Sequence, residues 1–459
     1  MGEVKILDDE IIKQSESDLN WLFAILDAIG KKIEEEERGK GVAIVDDSLL
    51  EKQSKTFLVY DSGLALDHAL ALASRGNKVY YFVEWRARNT KLEEHIVGYG
   101  YNQIEKILDY GTVYKNVDAV IFTDCSFGAI ADKMRSEGVN VFGTSLLGSK
   151  LEIDRNFMLD ELSKLGIKVP SYQVVMGVDE LLKKKVDGKK QVIKVDNIYR
   201  SNFETTVVET VDELKIALEE ARFGVMKNSM KFIITEFVEG VEIGVDAFFN
   251  GKHFLRPYHF GNETKGSNGT FGKWVNESIW DSVFSKLEPW LEKAGYRGSI
   301  SLEGIWDGKD ITVLDVTARF PYPCGSVYGI CIENYDDVIL AVARGEDIDI
   351  KLKTGIYTAQ LSFEREDLNS WVKVEQKEPS DKIVYPIGSI IVDGQNWIVP
   401  GEKIVAVVVG TGNSYEEARD DAIREKDKVS IKGAEFSWDA IIRYEKDYLP
   451  KYKEMGNIW

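Results

Sequence analysis

Cysteine is scarce. Cys125, Cys324 and Cys331 are three in 459 residues, which is no disulfide framework, and none sits in the CxxC step that zinc sites use. A reducing compartment follows, so a cytoplasmic location is expected. Long apolar runs are also missing. No stretch of ~18 apolar residues occurs, so no membrane span is expected. The opening MGEVKILDDEIIKQ has no apolar segment behind a basic start, so no secretory leader is expected either. Positive charge is outweighed, with 58 Lys and Arg against 77 Asp and Glu for a net −19. Free nucleic acid is therefore disfavoured as a partner, because phosphate binding needs clustered cations. The acidity is read simply as keeping the protein soluble. Glycine is sparse where a dinucleotide site would need it: YDSGLALDH has one after its first strand instead of a GxGxxG, which disfavours NAD and FAD. Histidine gives little, and His68, His253 and His259 are read as structural or surface residues.

What is present is an ordinary globular composition, 44% hydrophobic and 29% charged, and the length suggests about three domains. Residues 1–55 read as an extension. Leu19, Trp21, Leu22, Ile25, Leu26 and Ile29 have the spacing of an amphipathic helix, with Ser15 or Ser17 as its cap. Over residues 56–150 apolar strands such as TFLVYD alternate with helices such as LALDHALALASRG, which predicts a doubly wound parallel sheet. Ligands of such sheets bind beyond the carboxyl ends of the strands, where Asp61, Ser62 and Gly63, and Asp124, Cys125 and Ser126, fall. Residues 151–350 mix helices with antiparallel strands and form an α+β region. Residues 351–459 form a smaller mixed domain that includes the strand, glycine turn and helix of IVAVVVGTGNSYEEARDDAIREKDKV.

The chemistry concentrates in residues 150–350. Lys194 interrupts the apolar strand KQVIKVD. Its ammonium needs a partner or a route to water, so it is either an edge-strand lysine or a cation for nucleotide phosphates. In ITEFVEGVEIGVD a strand breaks at a glycine between acids, which offers backbone donors and acceptors beside apolar side chains, as an adenine requires. Glu303 in SISLEGIW and Asp315 in VLDVTARFPYP are predicted on adjacent antiparallel strands with a turn at Asp307-Gly308. Facing carboxylates repel unless a cation lies between them, and Mg²⁺ takes one or two carboxylates plus phosphate oxygens. Alternation puts Asp315, Thr317 and Arg319 on one face of the second strand. The segment GNETKGSNGTFGKW, with Lys265, is either a lid or a surface loop. The aromatics of FPYPCGSVYG either wall an acceptor pocket or pack in the core.

The order of lysine strand, EFVEG hinge, glycine-rich segment and paired acidic strands resembles the ATP-grasp superfamily, and within it the glycinamide ribonucleotide synthetase family. The resemblance runs over roughly residues 56–450, through NVFGTSLLGSKLEIDRNFMLDELSKLGIKVPSY, TEFVEGVEIGVDAFFNGKHFLRP, VLDVTARFPYP and IVAVVVGTGNSYEEARDDAI. It implies an ATP-grasp domain at 151–350, with a lid at about 170–240, preceded by the parallel-sheet domain and followed by the C-terminal one. It implies ATP with Mg²⁺ (or Mn²⁺) as cofactor, and small-molecule carboxylate and amine substrates joined through an acyl phosphate by a monomer or homodimer. By the same resemblance Arg155 and Lys194 would meet the phosphates. Glu236, Phe237 and Val238 would form the adenine hinge, and Glu242 would bind the ribose. Glu303, Asp315 and Thr317 would hold the metal, while Arg319 and Lys265 would serve the reacting groups. The chain departs from the family at several points. Asp315, Thr317 and Arg155 stand for Glu, Asn and Lys. DSGLALDH replaces a glycine-rich loop with Arg-Glu-His, and VDNIYRSNFETT after Lys194 has no glycine, although Arg200 and Ser201 there could reach a phosphate. The expectation is a ligase with a changed substrate pair. A diverged glycinamide ribonucleotide synthetase and an inactive nucleotide-binding scaffold stay open as alternatives.

Overall fold

TFLVYD is apolar along almost its whole length because the strand it forms, β1 (Thr56–Asp61), is covered on both faces. In the computed structural model, which describes residues 54–84, 96–195, 205–221, 227–264, 269–323, 325–385, 388–401 and 403–454, β1 lies at the centre of a parallel sheet. Its neighbours are β2 (Lys78–Val83), β3 (Glu105–Lys106), β4 (Ala119–Phe122) and β5 (Val141–Phe142), in the order β3-β2-β1-β4-β5. The chain winds outward in one direction from β1 and in the other from β4, so the order reverses between those two strands. The helix expected in residues 1–55 lies outside the described residues, as do Arg200, Ser201, Lys265 and Cys324.

A second sheet is antiparallel and carries the expected lysine strand. It contains β6 (Tyr172–Met176), β7 (Gln191–Val195), β8 (Thr205–Val208) and β9 (Lys231–Glu236), in the order β6-β9-β7-β8. Strand period two sorts its residues. Ile193, Val195, Phe232 and Ile234 pack with Leu181, Leu214 and Leu218 of the helices Val178–Lys184 and Val211–Ala221. Val192, Lys194, Ile233 and Thr235 turn to the opposite face and border a cavity.

After β9, residues 237–240 lead into the large sheet. Its strands are β10 (Val241–Phe249), β11 (Tyr258–Glu263), β12 (Gly269–Val275), β13 (Gly298–Trp306), β14 (Ile311–Thr317) and β15 (Tyr357–Arg365). The later strands are β16 (Val372–Gln376), β17 (Ile383–Val384), β18 (Ser389–Val392), β19 (Gln395–Ile398), β20 (Ile404–Gly412), β21 (Val429–Ile431) and β22 (Ala434–Phe436). The order β14-β13-β10-β11-β12-β15-β20-β17, with β22 beside β15, makes nine strands. Strands from both sides of residue 350 therefore share one sheet. β16, β18, β19 and β21 form a separate small sheet. The β13–β14 hairpin turns where expected. Gly308 takes a left-handed conformation, and the Asp307 carboxylate accepts the Lys309 and Asp310 amides. No helix among the described residues is long and apolar enough to cross a membrane.

Helix Tyr415–Lys426 lies so close on β20 that only glycine fits beneath it. A Cβ at Gly410 would run into the Ala418 carbonyl and the Ala422 amide. Those are backbone atoms and cannot rotate away. Gly410→Ala is expected to cost about 3 kcal/mol, seen as a lower urea midpoint at unchanged slope.

Candidate active site

The face of the lysine sheet that avoids its own core looks across at one end of the large sheet. Between them lies a cavity of about 620 Å³, a size that holds a nucleotide-scale ligand. Met158, Leu159, Pro170, Val192, Val207, Ile233 and Ile305 make its apolar walls. The connection between the sheets supplies one edge, and Glu236, Phe237, Val238 and Glu242 all border the cavity, as does Arg155. Glu236 is already engaged. Its carboxylate accepts the Ser171 amide at 2.9 Å, and its own amide donates to the Ser171 carbonyl at 3.1 Å. The Lys190 ammonium sits 3.7 Å over the Phe237 ring.

Charge gathers at the other end. Glu303 on β13 pairs directly with Asp315 on β14, but Gly304 pairs with Val313, so Leu314 is bulged out of register. Bulges re-aim neighbouring groups. Here the Leu314 carbonyl accepts the Lys194 ammonium at 3.3 Å, and the same ammonium stands 3.7 Å from Asp315. Arg155, the first residue of helix Arg155–Lys164, also donates to Asp315. Burial pushes the Asp315 carboxyl up, but the Arg155 and Lys194 charges outweigh it and hold the group below its ordinary range. Burial likewise draws the Lys194 ammonium down, against the pull of Asp315. Glu303 is helped less, since Lys194 lowers it only as the smallest of the influences on it. It opens to cavity water yet lies deep among protein, and burial followed by Asp315, Glu263 and Glu242 raises it to about 8.

The polar triplet divides between two places, because β14 ends at Thr317 and Arg319 lies beyond it. Val316, Ala318 and Phe320 are buried while Asp315, Thr317 and Arg319 are partly open, as alternation requires. Only Asp315 borders the large cavity. Thr317 pairs with Ser301 one pleat beyond. Arg319 borders a second, smaller pocket with Ser62, Thr123 and Asp124 at the ends of β1 and β4. Its guanidinium donates to Glu152 at 2.9 Å, and Glu152 also accepts the Ala318 amide at 3.0 Å. Burial opposes the Arg319 charge, but Glu152 and Asp124 overcome it and its pKa stands above the ordinary value. Glu152 was not singled out by sequence, nor were Asp447, Tyr448 and Lys451, which close one side of the large cavity. The Tyr452 hydroxyl and the Asn262 amide both donate to the Glu242 carbonyl, at 2.7 and 2.9 Å. Such contacts have no local pattern. Among the described residues no cluster of three or more His, Cys, Asp or Glu is placed to hold a metal alone. His259 is buried between Asp246 and Thr358.

No family model matches the chain. The phosphoribosylamine–glycine ligase of Caldanaerobacter subterraneus subsp. tengcongensis is 23% identical over 418 residues, covering 84% of this chain and 97% of that protein. Among solved structures, the phosphoribosylamine–glycine ligase of Thermotoga maritima superposes with a TM-score of 0.64 at 18% identity, covering 83% of this chain and 98% of that one. This chain has the ATP-grasp fold. The biotin carboxylase domain of Hydrogenobacter thermophilus 2-oxoglutarate carboxylase, solved with MgADP, ADP and bicarbonate, shares it: the TM-score is 0.60 at 12% identity, with 88% of this chain and 96% of that one covered. The resemblance expected from the motifs thus extends over nearly the whole ATP-grasp relative, although identity is low throughout.

The Glu303 carboxyl gives a pH test of this ATP-grasp cleft without ligand. Its native value of about 8 lies above its ordinary 4.5, so between those limits the native state holds a proton that the unfolded chain has released. The stability from this group is full below pH ~4.5 and is lost as pH rises through ~8. Thermal melts across that range should fall with pH in the unmodified protein, and the slope should flatten in Glu303→Gln.

Proposed function

We propose that this ATP-grasp chain is an ADP-forming carboxylate–amine ligase that uses Mg²⁺ or Mn²⁺, with a substrate pair other than glycine and phosphoribosylamine. The observation that carries the reading is one cleft with apolar walls and a hinge at one end and Arg155, Lys194, Glu303 and Asp315 at the other. That is the division a nucleoside triphosphate needs. In the proposed reaction a substrate carboxylate oxygen bonds to the terminal phosphorus and ADP leaves. The amine nitrogen then bonds to the acyl carbon, losing a proton as phosphate departs.

The residues fit the metal that this chemistry requires. Two facing carboxylates with oxygen donors only suit a hard cation, and their number leaves coordination positions for phosphate oxygens and water. Burial first, and then repulsion from Asp315, raise Glu303, and such a cation would relieve the repulsion. Glu303 and Asp315 would hold it, with Thr317 as a neutral oxygen donor nearby, and the ion would stabilise charge on the transferring phosphoryl group. Lys194 and Arg155 would be released from Asp315 to meet phosphate oxygens. Phe237 and Val238 would present their backbone to an adenine edge, the Glu236 carboxylate would brace the hinge through Ser171, and Glu242 would take ribose hydroxyls. Arg319, held by Glu152, would face the acyl group from the smaller pocket. Lys265, in the glycine-rich segment, would act over the reacting groups. In this reading residues at about 170–240 close as a lid, which excludes water from an intermediate that it would hydrolyse.

The substrate change is supported by the residues around Arg319, where Phe-Pro-Tyr-Pro-Cys follows it and DSGLALDH lines the facing strand ends. A second reading, glycinamide ribonucleotide synthesis itself, is favoured by the similarity to phosphoribosylamine–glycine ligases.

Calorimetry with Mg·ATP should show binding, and its absence would overturn the ligase reading. ADP release should then be followed with glycine and fresh phosphoribosylamine, and with a panel of other acids and amines. Turnover with the first pair alone would establish the second reading. With the productive pair, Lys194→Ala and Asp315→Ala are each expected to lower kcat about 100-fold or more, read at a temperature where circular dichroism shows both variants folded.

A further inference from the structure

The sheet order β3-β2-β1-β4-β5 reverses between β1 and β4, and ligands of doubly wound sheets sit outside the strand ends at such a reversal. At that point Ser62, Asp67, His68, Asp124, Arg319 and Ser326 border a pocket of about 10 Å³, room for one water-sized group. Asp67 is the telling residue. It is only 7% exposed, and while its Oδ2 accepts the Ser326 hydroxyl at 2.7 Å, its Oδ1 is buried without a hydrogen-bond partner. A buried carboxylate oxygen left unanswered is costly and calls for a donor.

The surroundings decide which donor. Asp124 stands on the other side, accepting the Ser126 amide at 2.8 Å and the Ser62 hydroxyl at 3.2 Å. Asp61 lies beneath, with its oxygens occupied by Ser62, Thr123, Ala65 and Tyr81. The guanidinium of Arg319 pairs with Glu152 and donates to the Phe320 carbonyl, and its charge acts on Asp124, but it makes no hydrogen bond to the Asp67 Oδ1. His68 stacks on Phe320 and meets the Tyr335 hydroxyl, and burial lowers its pKa, which favours the neutral ring. No Lys or Arg occurs between Asp61 and Arg75. The positive end of helix Leu66–Ala73 is already answered by Asp67 in its first turn. A phosphate placed here would face two carboxylates. An ammonium group would supply three N–H donors.

We propose that this pocket holds a protonated amino group of the acceptor substrate, with Asp67 as its main partner and Asp124 as its second. The proposal rests on the ligase reading above. The attacking nitrogen of a ligase must be unprotonated, so the ammonium held here is a second amino group. The acceptor class is accordingly a diamine or diamino acid that carries no phosphate at this end. A monovalent cation such as potassium has similar charge and size, and the test separates the two.

The full chain, in sodium buffer with Mg·ADP, is titrated calorimetrically with 1,3-diaminopropane, potassium chloride and ribose 5-phosphate. The diamine should bind, and Asp67→Asn, which keeps the shape and can still accept from Ser326, should weaken it at least tenfold. Asp124→Asn should weaken it too, and it carries the test should Asp67→Asn fail to fold. Ribose 5-phosphate and potassium should bind less tightly than the diamine. The proposal is overturned by no diamine binding, by equal diamine binding in the folded variants, or by tighter binding of ribose 5-phosphate or potassium. Absence of Mg·ADP binding would count against the ligase reading instead, and the diamine titration repeated without nucleotide would still read the pocket.

Discussion

Two carboxylates face each other across β13 and β14, and the rest of the cleft is arranged around that repulsion. Adjacent strands hold opposed side chains about 5 Å apart, so Glu303 and Asp315 cannot separate without breaking the ladder. Asp315 is answered by Arg155 from a helix and Lys194 from a different sheet. Glu303 is not answered to the same degree and keeps its proton to unusually high pH. The bulge at Leu314 belongs to the same arrangement, because it turns a main-chain carbonyl toward Lys194. The pair thus ties the small antiparallel sheet to the large one.

Much of this could be read in the sequence because it obeys a short period. The alternation of Asp315, Thr317 and Arg319 against Val316, Ala318 and Phe320 is the pleat itself, and a lysine between Ile193 and Val195 must turn to the face opposite their core. The switch-point pocket was half visible, since strand ends in such sheets carry ligands whatever their sequence. What the sequence did not reveal depends on distant chain meeting distant chain. Glu152 grips Arg319 across 167 positions, and no local pattern marks it. The bulge is equally hidden, because β13 and β14 each look regular alone. Alternation predicts the polar triplet on one face of one strand, yet β14 ends at Thr317, so Arg319 borders the pocket of the parallel sheet while Asp315 borders the larger cavity.

That division gives β14 a connecting role. Four residues of extended chain span about 13 Å, so Asp315 inside β14 and Arg319 just beyond its end address neighbouring compartments. A reacting centre lying between a nucleotide and an acceptor needs such a fixed span, because misplacement by an ångström costs rate steeply. The strand is braced on both sides, by pairing with β13 and by the core under Val313 and Val316.

The cavity wall is completed from far along the chain. Tyr448 and Lys451 border it, and Tyr452 grips the carbonyl of Glu242. A nascent chain emerges in order, so the hinge, the lysine strand and the acidic pair all precede the side that encloses them. The side formed by Tyr448, Lys451 and Tyr452 is therefore the last part of the cavity to be made, and a ligand that preferred the enclosed cleft would stabilise finished molecules over partial ones.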